Sequence, residues 1–324
     1  MYTYRDMDSF GGLPVAALND LPDPKGTRAD NAHAHKPLPA AGKAAWALRI
    51  PTYQAPETFP EHFARFLATV DSTKVSALLI GSWGVNDLSS KVVVDLLVEH
   101  ADKFPALRHL YLGYIHYEEN ELSWIQQSDV TPLLTEFPKL ETLIVKGAYI
   151  ELSPVEHDSL RTLEFQTVGL PADVVQAVGA STLPALESLE LWLGVEDYDG
   201  DATAEDLAGI LNGRGLPALT SLGLMNSEIQ DEICAAVASA PIVARLRRLD
   251  LSMGTLGNQG AEALLTGQPL QHLEQLVLSH HFMTQSMCDR LADALPDVVV
   301  GLEDLEEEDD LDGTEVWRYV EVSE

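Results

Sequence analysis

One spacing pattern recurs along most of this chain of 324 residues and limits the folds that it can adopt. An apolar residue is followed by two spacers, a second apolar residue, one spacer and a third apolar residue. The eight copies are Val75-Leu78-Ile80, Leu107-Leu110-Leu112, Leu140-Leu143-Val145, Leu160-Leu163-Phe165, Leu186-Leu189-Leu191, Leu219-Leu222-Leu224, Leu246-Leu249-Leu251 and Leu273-Leu276-Leu278. Each copy predicts a short β-strand, because residues two apart on a strand point to the same face.

The stretches between these triplets are mostly amphipathic and predict helices. Clear examples are 87–101, 231–244 and 285–295, where apolar residues recur at helical spacing. The 20 residues from Leu140 to Leu160 leave no room for a full helix, so an extended or turn segment is expected there. A strand, a crossover and a further parallel strand, repeated many times, predict a stacked solenoid.

Two copies carry a resemblance to a known class of repeat. They are Leu219-Thr-Ser-Leu222-Gly-Leu224 and Leu246-Arg-Arg-Leu249-Asp-Leu251 with the residues that follow each. The sequence over 75–302 resembles the leucine-rich-repeat superfamily, and most closely its ribonuclease-inhibitor-like repeats. The resemblance implies an α/β horseshoe or arc with a parallel sheet on the concave side, helices on the convex side and a cap at each end.

Three short segments carry a narrower resemblance. The N-terminal arm, the segment 78–84 and the ending 318–322 look like an uncharacterised family of bacterial cytoplasmic leucine-rich-repeat proteins. The genes of that family tend to lie beside genes for radical-SAM, ATP-grasp and hydrolase proteins. This resemblance implies an alternative function, as a subunit or a substrate-presenting component of a bacterial modification enzyme system.

Composition divides the chain into four predicted parts. Residues 1–44 are rich in Pro, Gly and Ala and are interpreted as an irregular N-terminal arm. Residues 45–74 contain a strand pattern and a helix pattern and are interpreted as an N-terminal cap, which a solenoid needs over its first strand. The repeat array is predicted to occupy 75–302. Residues 303–324 are interpreted as an acidic loop followed by a C-terminal capping strand.

The chain is strongly acidic, with 51 acidic and 20 basic side chains and a formal charge of −31. This charge repels nucleic-acid phosphates and anionic membrane surfaces, so neither is expected as a partner. The tract 162–213 contains ten acidic residues and no Lys or Arg, which favours a basic partner. The alternative interpretation is that an acid-rich, Lys-poor surface serves solubility at high salt.

The sequence also bears on location and chemistry. It has no apolar run long enough for a membrane span, no start typical of a signal peptide and only two cysteines, so a cytoplasmic protein is expected. Residues 197–208 begin like a calcium loop, but the sixth and twelfth positions are Ala202 and Ala208 instead of Gly and Glu. No complete catalytic constellation is found, so the chain is predicted to be no enzyme and to need no metal or cofactor.

In the implied architecture, the spacers inside each triplet project from the concave side of the sheet. Tyr111, Tyr114, Ile144 and Trp192 would be exposed apolar anchors there, which suits a protein-binding hot spot. The alternative is that the N-terminal arm or the acidic loop covers them. The residues predicted to bind a protein or peptide partner are His109, Tyr111, Tyr114, Ile144, Lys146, Glu164, Gln166, Glu190, Trp192, Met225, Arg248 and Asp250. The resulting hypothesis is a non-catalytic scaffold that binds a protein or peptide, preferably a basic one, through the concave face of the repeat array.

Overall fold

A computed structural model describes residues 7–18, 37–51, 55–84, 88–311 and 315–324 of the chain. Twelve strands form one open sheet, and their order in the sheet is their order in the chain. The second to twelfth strands are parallel, and only the first pairs antiparallel with its neighbour. This arrangement is an α/β solenoid in which each unit stacks on the previous one.

The main sheet includes all eight predicted strands. Its members are β1 (Ser9–Phe10), β2 (Leu13–Ala17), β3 (Ala45–Leu48), β4 (Ala77–Ile80), β5 (His109–Leu112), β6 (Thr142–Lys146), β7 (Thr162–Gln166), β8 (Ser188–Gly194), β9 (Ser221–Ser227), β10 (Arg248–Asp250), β11 (Gln275–Val277) and β12 (Val299–Gly301). A separate antiparallel pair is formed by β13 (Asp309–Leu311) and β14 (Glu315–Trp317). The triplets therefore form strands in the predicted register, with equivalent leucines side by side.

Eight α-helices lie in the described part of the chain. They are α1 (Phe59–Thr69), α2 (Lys91–Glu99), α3 (Thr131–Glu136), α4 (Ala172–Ala180), α5 (Ala208–Asn212), α6 (Gln230–Val237), α7 (Asn258–Thr266) and α8 (Gln285–Ala294). The short crossover between β6 and β7 contains no helix, as its length predicts. No helix among the described residues is long and apolar enough to cross a membrane.

The main core lies between the sheet and the helices. The middle leucine of each triplet, such as Leu110, Leu163 and Leu249, is almost fully buried against helix residues such as Leu97 and Val175. Burying one such side chain contributes about 1.5–3 kcal/mol. Because each unit covers the apolar face of its neighbour, the core is continuous along the solenoid.

Side chains of neighbouring units also cap the helices. Asp201 Oδ1 accepts a hydrogen bond from the Ala172 N–H at the start of α4, at 2.8 Å. Asp231 Oδ1 accepts hydrogen bonds from the N–H groups of Gly257 and Gly260 at the start of α7. These contacts satisfy helix N–H groups that have no partner within their own helix, and they join consecutive units.

The prediction of an irregular N-terminal arm is wrong for residues 9–17. This segment is a β-hairpin, and β2 extends the sheet beyond β3. Its two turn residues, Gly11 and Gly12, have φ angles of +56° and +73°. Two-residue hairpin turns favour glycine because both positions require positive φ, so the Gly-Gly pair allows the chain to reverse here. Residues 1–6 and 19–36 of the arm lie outside the described residues.

The C-terminal segment also differs from the expected capping strand. β14 pairs only with β13, and the main sheet ends at β12. The acidic stretch predicted as a loop contributes β13 to this pair. Residues 318–322 are extended but pair with loops of earlier units, so they lie along the side of the array instead of adding a strand to its end.

Candidate functional site

The candidate site is the face of the main sheet that points away from the helices, which we call the open face. Residues alternate between the two faces along each strand, so the spacers within the triplets lie on the open face. A second, smaller apolar cluster occupies its first third and contains no helix residue. The open face has three parts, which differ in what covers them.

The N-terminal hairpin covers the first part of the open face. The Phe10 ring lies 6.0 Å from the ring of His109 and 6.3 Å from the ring of Tyr111. The Met7 N–H donates a hydrogen bond of 2.8 Å to the Tyr114 hydroxyl. Small side chains at Ala45, Ala47 and Ala77 share this cluster, and their size leaves room for the phenylalanine ring.

The expected exposure of the aromatic anchors Tyr111, on β5, and Tyr114, just after it, is therefore wrong. Tyr111 is 6% exposed and Tyr114 is 8% exposed. Ile144 is half-buried and packs against the same cluster. The arm covers these residues, which is the alternative that the sequence left open. Tyr111 still reaches the next part of the face, because its hydroxyl donates a hydrogen bond of 3.1 Å to Gln166 Oε1.

Three more predicted binding residues are buried for a different reason. Trp192 and Met225 are 1% and 2% exposed and belong to the main core cluster. Lys146 is also buried, and its Nζ donates a hydrogen bond of 2.7 Å to the carbonyl of Ile115. Burial lowers the pKa of Lys146 to about 8, although the Glu119 carboxylate opposes this shift. None of the three is accessible as a surface anchor.

The C-terminal segment 318–322 covers the ends of the last strands, and we call it the clasp. His280 Nε2 lies 2.9 Å from the Tyr319 carbonyl, and the Glu321 N–H donates to the Met253 carbonyl at 2.8 Å. Asn226 donates to the Val322 carbonyl and accepts from its N–H. The clasp thus crosses three consecutive units at equivalent positions, each two residues after the third leucine of its triplet.

The central part of the open face is formed by β6 to β10; the hairpin covers the strands before it, and the clasp lies along the carboxyl-terminal edge of β9 to β11. The strand register places Glu164, Glu190, Gly223 and Asp250 in one row across β7, β8, β9 and β10. We call this row the acidic row. Neighbouring strands are about 4.8 Å apart, so the first two carboxyl groups are close neighbours. A Cβ at residue 223 would lie 3.1 Å from Glu190 Cγ, so glycine keeps the space beside that carboxyl group open.

A second row of side chains lies next to the acidic row, towards the amino ends of the strands. Its first four members are polar and uncharged, and its last member is basic. Thr142, Thr162, Ser188 and Ser221 are aligned across β6 to β9, and Arg248 follows on β10. The Arg248 guanidinium forms an ion pair with Asp250 and donates a hydrogen bond of 3.0 Å to Gln275 Oε1. Asp250 also accepts a hydrogen bond from the Ser252 hydroxyl at 2.5 Å. Arg248 therefore neutralises the charge of Asp250 at the β10 end of the acidic row.

The other two carboxyl groups have raised pKa values. Burial raises the pKa of Glu164 to about 7, and the nearby Glu190 charge adds to this shift while a hydrogen bond from Gln166 opposes it. Burial and the Asp250 charge raise the pKa of Glu190, and Arg248 opposes that shift. Both groups are half-buried. The acidic row is therefore a place where an added positive charge would be stabilised.

The structure thus brings together five of the predicted residues: Glu164, Gln166, Glu190, Arg248 and Asp250. His109 lies under the hairpin and contacts the Thr142 hydroxyl. Sequence reasoning missed Gly223, which opens the row, and Phe10, which closes the first part of the face. The Gly-Gly pair between two apolar residues was a hairpin signal that could have revealed the second of these.

The raised pKa of Glu164 predicts a pH-dependent stability. A carboxyl group with a higher pKa in the folded chain binds protons more tightly there, so folding loses stability as the pH rises from about 4.5 to about 7. Glu164→Gln is expected to increase the free energy of unfolding by on the order of 1–3 kcal/mol near pH 8 and to change it little near pH 4.5. Urea unfolding at both pH values measures this difference. Glu99→Gln, at an exposed position on α2, is the control and should leave the pH dependence unchanged.

The fold and its open face define an α/β solenoid with a parallel sheet. The crystal structure of a protein from Bacteroides fragilis, a target of the Northeast Structural Genomics Consortium, superimposes on this chain with a TM-score of 0.70 at 30% sequence identity. The match covers 75% of this chain and 70% of that protein. The chain therefore belongs to the same family as this Bacteroides fragilis protein.

A second solved structure is a more distant neighbour. An internalin from Listeria monocytogenes has 15% sequence identity and a TM-score of 0.31, over 72% of this chain and 76% of that chain. A superposition at this score is too loose to support an argument about this chain. No family model matches the sequence, and no curated protein matches it.

Proposed function

We propose that this chain is a leucine-rich-repeat protein of the ribonuclease-inhibitor-like type, and that it acts in the cytoplasm as a non-catalytic scaffold for a basic protein or peptide. The recurrent triplets and the parallel sheet with helices on one side support the repeat assignment. The observation that carries the function is the acidic row on the central part of the open face. The expected ligand is an extended segment with Lys or Arg side chains.

The charges of the acidic row support a cationic ligand. Glu164 and Glu190 are adjacent and half-buried, and the neighbouring base, Arg248, is already paired with Asp250. A cation from a partner would offset the repulsion between the two carboxylates and the loss of their hydration. The affinity should fall with added salt, since the interaction is electrostatic.

The size of the central part of the open face supports an extended peptide as the ligand. Five strands from β6 to β10 span about 19 Å at the usual strand separation. About six residues of extended chain cover that distance. Hydroxyl groups of Thr162, Ser188 and Ser221 lie beside the acidic row and could bind the peptide backbone. The hairpin lies over the first part of the face and the clasp lies along the carboxyl-terminal edge of β9 to β11, so the ligand is expected on the part of the face that neither segment covers.

The test is calorimetric titration of the full chain with a synthetic peptide of alternating lysine and serine. The double variant Glu164→Gln with Glu190→Gln should weaken binding roughly ten-fold or more, because it removes both unpaired charges. Glu99→Gln with Asp293→Asn removes the same charge from exposed helix positions and is the matched control. Equal losses in the two double variants would contradict the proposal and favour acidity that serves solubility.

The pH dependence provides a second measurement. A cation binds the ionised carboxylate, so the affinity of the unmodified chain should fall as the pH drops below about 7, where Glu164 takes up a proton. Glu164→Gln should lose most of this dependence. If the affinity of this variant kept the same pH dependence, Glu164 would not be the group that binds the cation of the ligand.

A further inference from the structure

Four large apolar side chains are exposed beyond the carboxyl-terminal ends of β4, β5 and β6, and we call them the aromatic rim. They are Leu88, Tyr117, Trp124 and Tyr149, with 48%, 65%, 54% and 56% of their surface exposed. None of them belongs to the open face. Large exposed apolar groups that gather in one region are a feature of interaction surfaces, whereas scattered single ones are common.

Backbone hydrogen bonds hold the segments that carry Leu88, Trp124 and Tyr149 side by side. The Ser90 N–H donates to the Gln126 carbonyl at 2.8 Å, which aligns the segment of Leu88 with that of Trp124. The Ala148 N–H donates to the Ile125 carbonyl at 2.9 Å, and the Gln127 N–H donates to the Ala148 carbonyl at 2.8 Å. Three consecutive units therefore contribute to one surface.

Buried neighbours fix two of the aromatic residues in place. Trp124 lies between Leu122 and Ile125, which are both buried in the main core. Tyr149 lies between the buried residues Ala148 and Ile150, is itself exposed, and has a φ angle of +60°. A bulky residue rarely adopts this conformation, so the packing of its neighbours holds it there. Side chains presented on a rigid backbone lose less freedom on binding, which favours their use as anchors.

The charges around the rim indicate which chemical class of partner fits it. Residues 113–138 and 147–160 contain eight acidic residues and no Lys or Arg. Glu118, Glu121, Asp129 and Glu151 are exposed. The nearby bases are already engaged, since Arg49 pairs with Glu119 and Lys91 pairs with Asp95. A second copy of this chain would bring the same acidic groups to the contact, so a copy is disfavoured.

We propose that the aromatic rim is a second docking surface, separate from the acidic row, and that it binds a protein segment in which Arg or Lys side chains alternate with apolar ones. The cations would lie over the rings of Trp124, Tyr117 and Tyr149 and beside the exposed carboxylates. The apolar side chains would pack against Leu88 and the edges of the rings. Binding at the aromatic rim does not depend on the function of the open face.

Intrinsic fluorescence offers a direct test. Trp46, Trp83 and Trp192 are buried, and Trp124 and Trp317 are exposed. In the Trp317→Phe variant, Trp124 is the exposed indole that reports on solvent. The probe is a synthetic peptide of repeated Arg-Leu-Gly-Ser units, which has no fluorescent side chain. Binding at the rim should shift the emission to shorter wavelength and protect it from iodide quenching.

Variants in the same background locate the contact. Tyr149→Ser, and separately Glu118→Gln with Glu121→Gln, should each raise the dissociation constant of the probe roughly ten-fold. Glu99→Gln with Asp293→Asn, at exposed positions outside both proposed surfaces, should leave it unchanged. No change in Trp124 emission would overturn the proposal, as would equal losses in the rim variant and the exposed control. Light scattering that showed a dimer in the parent chain and a monomer in Tyr149→Ser would also overturn it, because the occupant would then be a second copy.

Discussion

Phe10→Ala is expected to detach the N-terminal hairpin from the open face. The ring of Phe10 is buried against His109, Tyr111 and the alanines of β3 and β4, and its removal should cost about 3–5 kcal/mol. Phe10 belongs to a cluster that is confined to the first strands of the array, so the loss falls on that end of the array and not on the whole chain. Hydrogen exchange is the appropriate measurement, and the amides of residues 13–17 should lose most of their protection.

The same variant should uncover Tyr111 and Tyr114, which the hairpin now buries. An increase in the binding of a dye specific for apolar surface would report this exposure. Trp317→Ala removes an aromatic side chain that is already exposed and belongs to neither proposed surface, and it is the control that should leave the protection of residues 13–17 unchanged and should not increase dye binding. Full protection of residues 13–17 in Phe10→Ala would mean that strand pairing alone, and not the contact of this ring, holds the hairpin.

Gly194→Ala is expected to destabilise the middle of the solenoid by about 3 kcal/mol or more. Gly194 has a φ angle of +75°, and a Cβ there would lie 1.9 Å from the Val168 carbonyl oxygen. The end of β8 would have to move away from the neighbouring backbone, where Gly194 and Gly169 form a bridge. Backbone strain at a non-glycine residue with positive φ adds about 1–2 kcal/mol to this cost. Urea unfolding followed by circular dichroism measures the loss.

Gly12→Ala separates the two causes. Gly12 has nearly the same φ angle, +73°, but no atom would lie within 4 Å of its Cβ. This variant should therefore lose only the strain of about 1–2 kcal/mol. If Gly194→Ala lost no more than Gly12→Ala, the close approach of the two backbones would not constrain the fold.

Much of the fold could be predicted because the triplet pattern is periodic. All eight triplets form strands, and the missing helix between Leu140 and Leu160 follows from the length of that crossover alone. Alternation along a strand also assigned Glu164 and Glu190 to the face opposite the helices. A local pattern is sufficient for these features, because each depends on the geometry of one strand and its direct neighbours.

The candidate site was predicted less completely, because burial depends on distant segments. Tyr111 and the acidic residue Glu164 occupy equivalent positions on their strands, yet the first is covered by a hairpin that is distant in sequence. Trp192 has the alternation of an open-face residue but lies in the main core. No spacing rule within a triplet distinguishes these cases.

The sequence by itself determined the repeat, the parallel order of the strands and the excess of negative charge on the middle units. The tertiary structure decided which parts of the sheet remain open. Phe10 and the clasp reach their positions through contacts between residues about a hundred positions apart, such as Met7 with Tyr114 and Asn226 with Val322. Such contacts depend on how the whole array stacks, and a local pattern carries no information about that stacking.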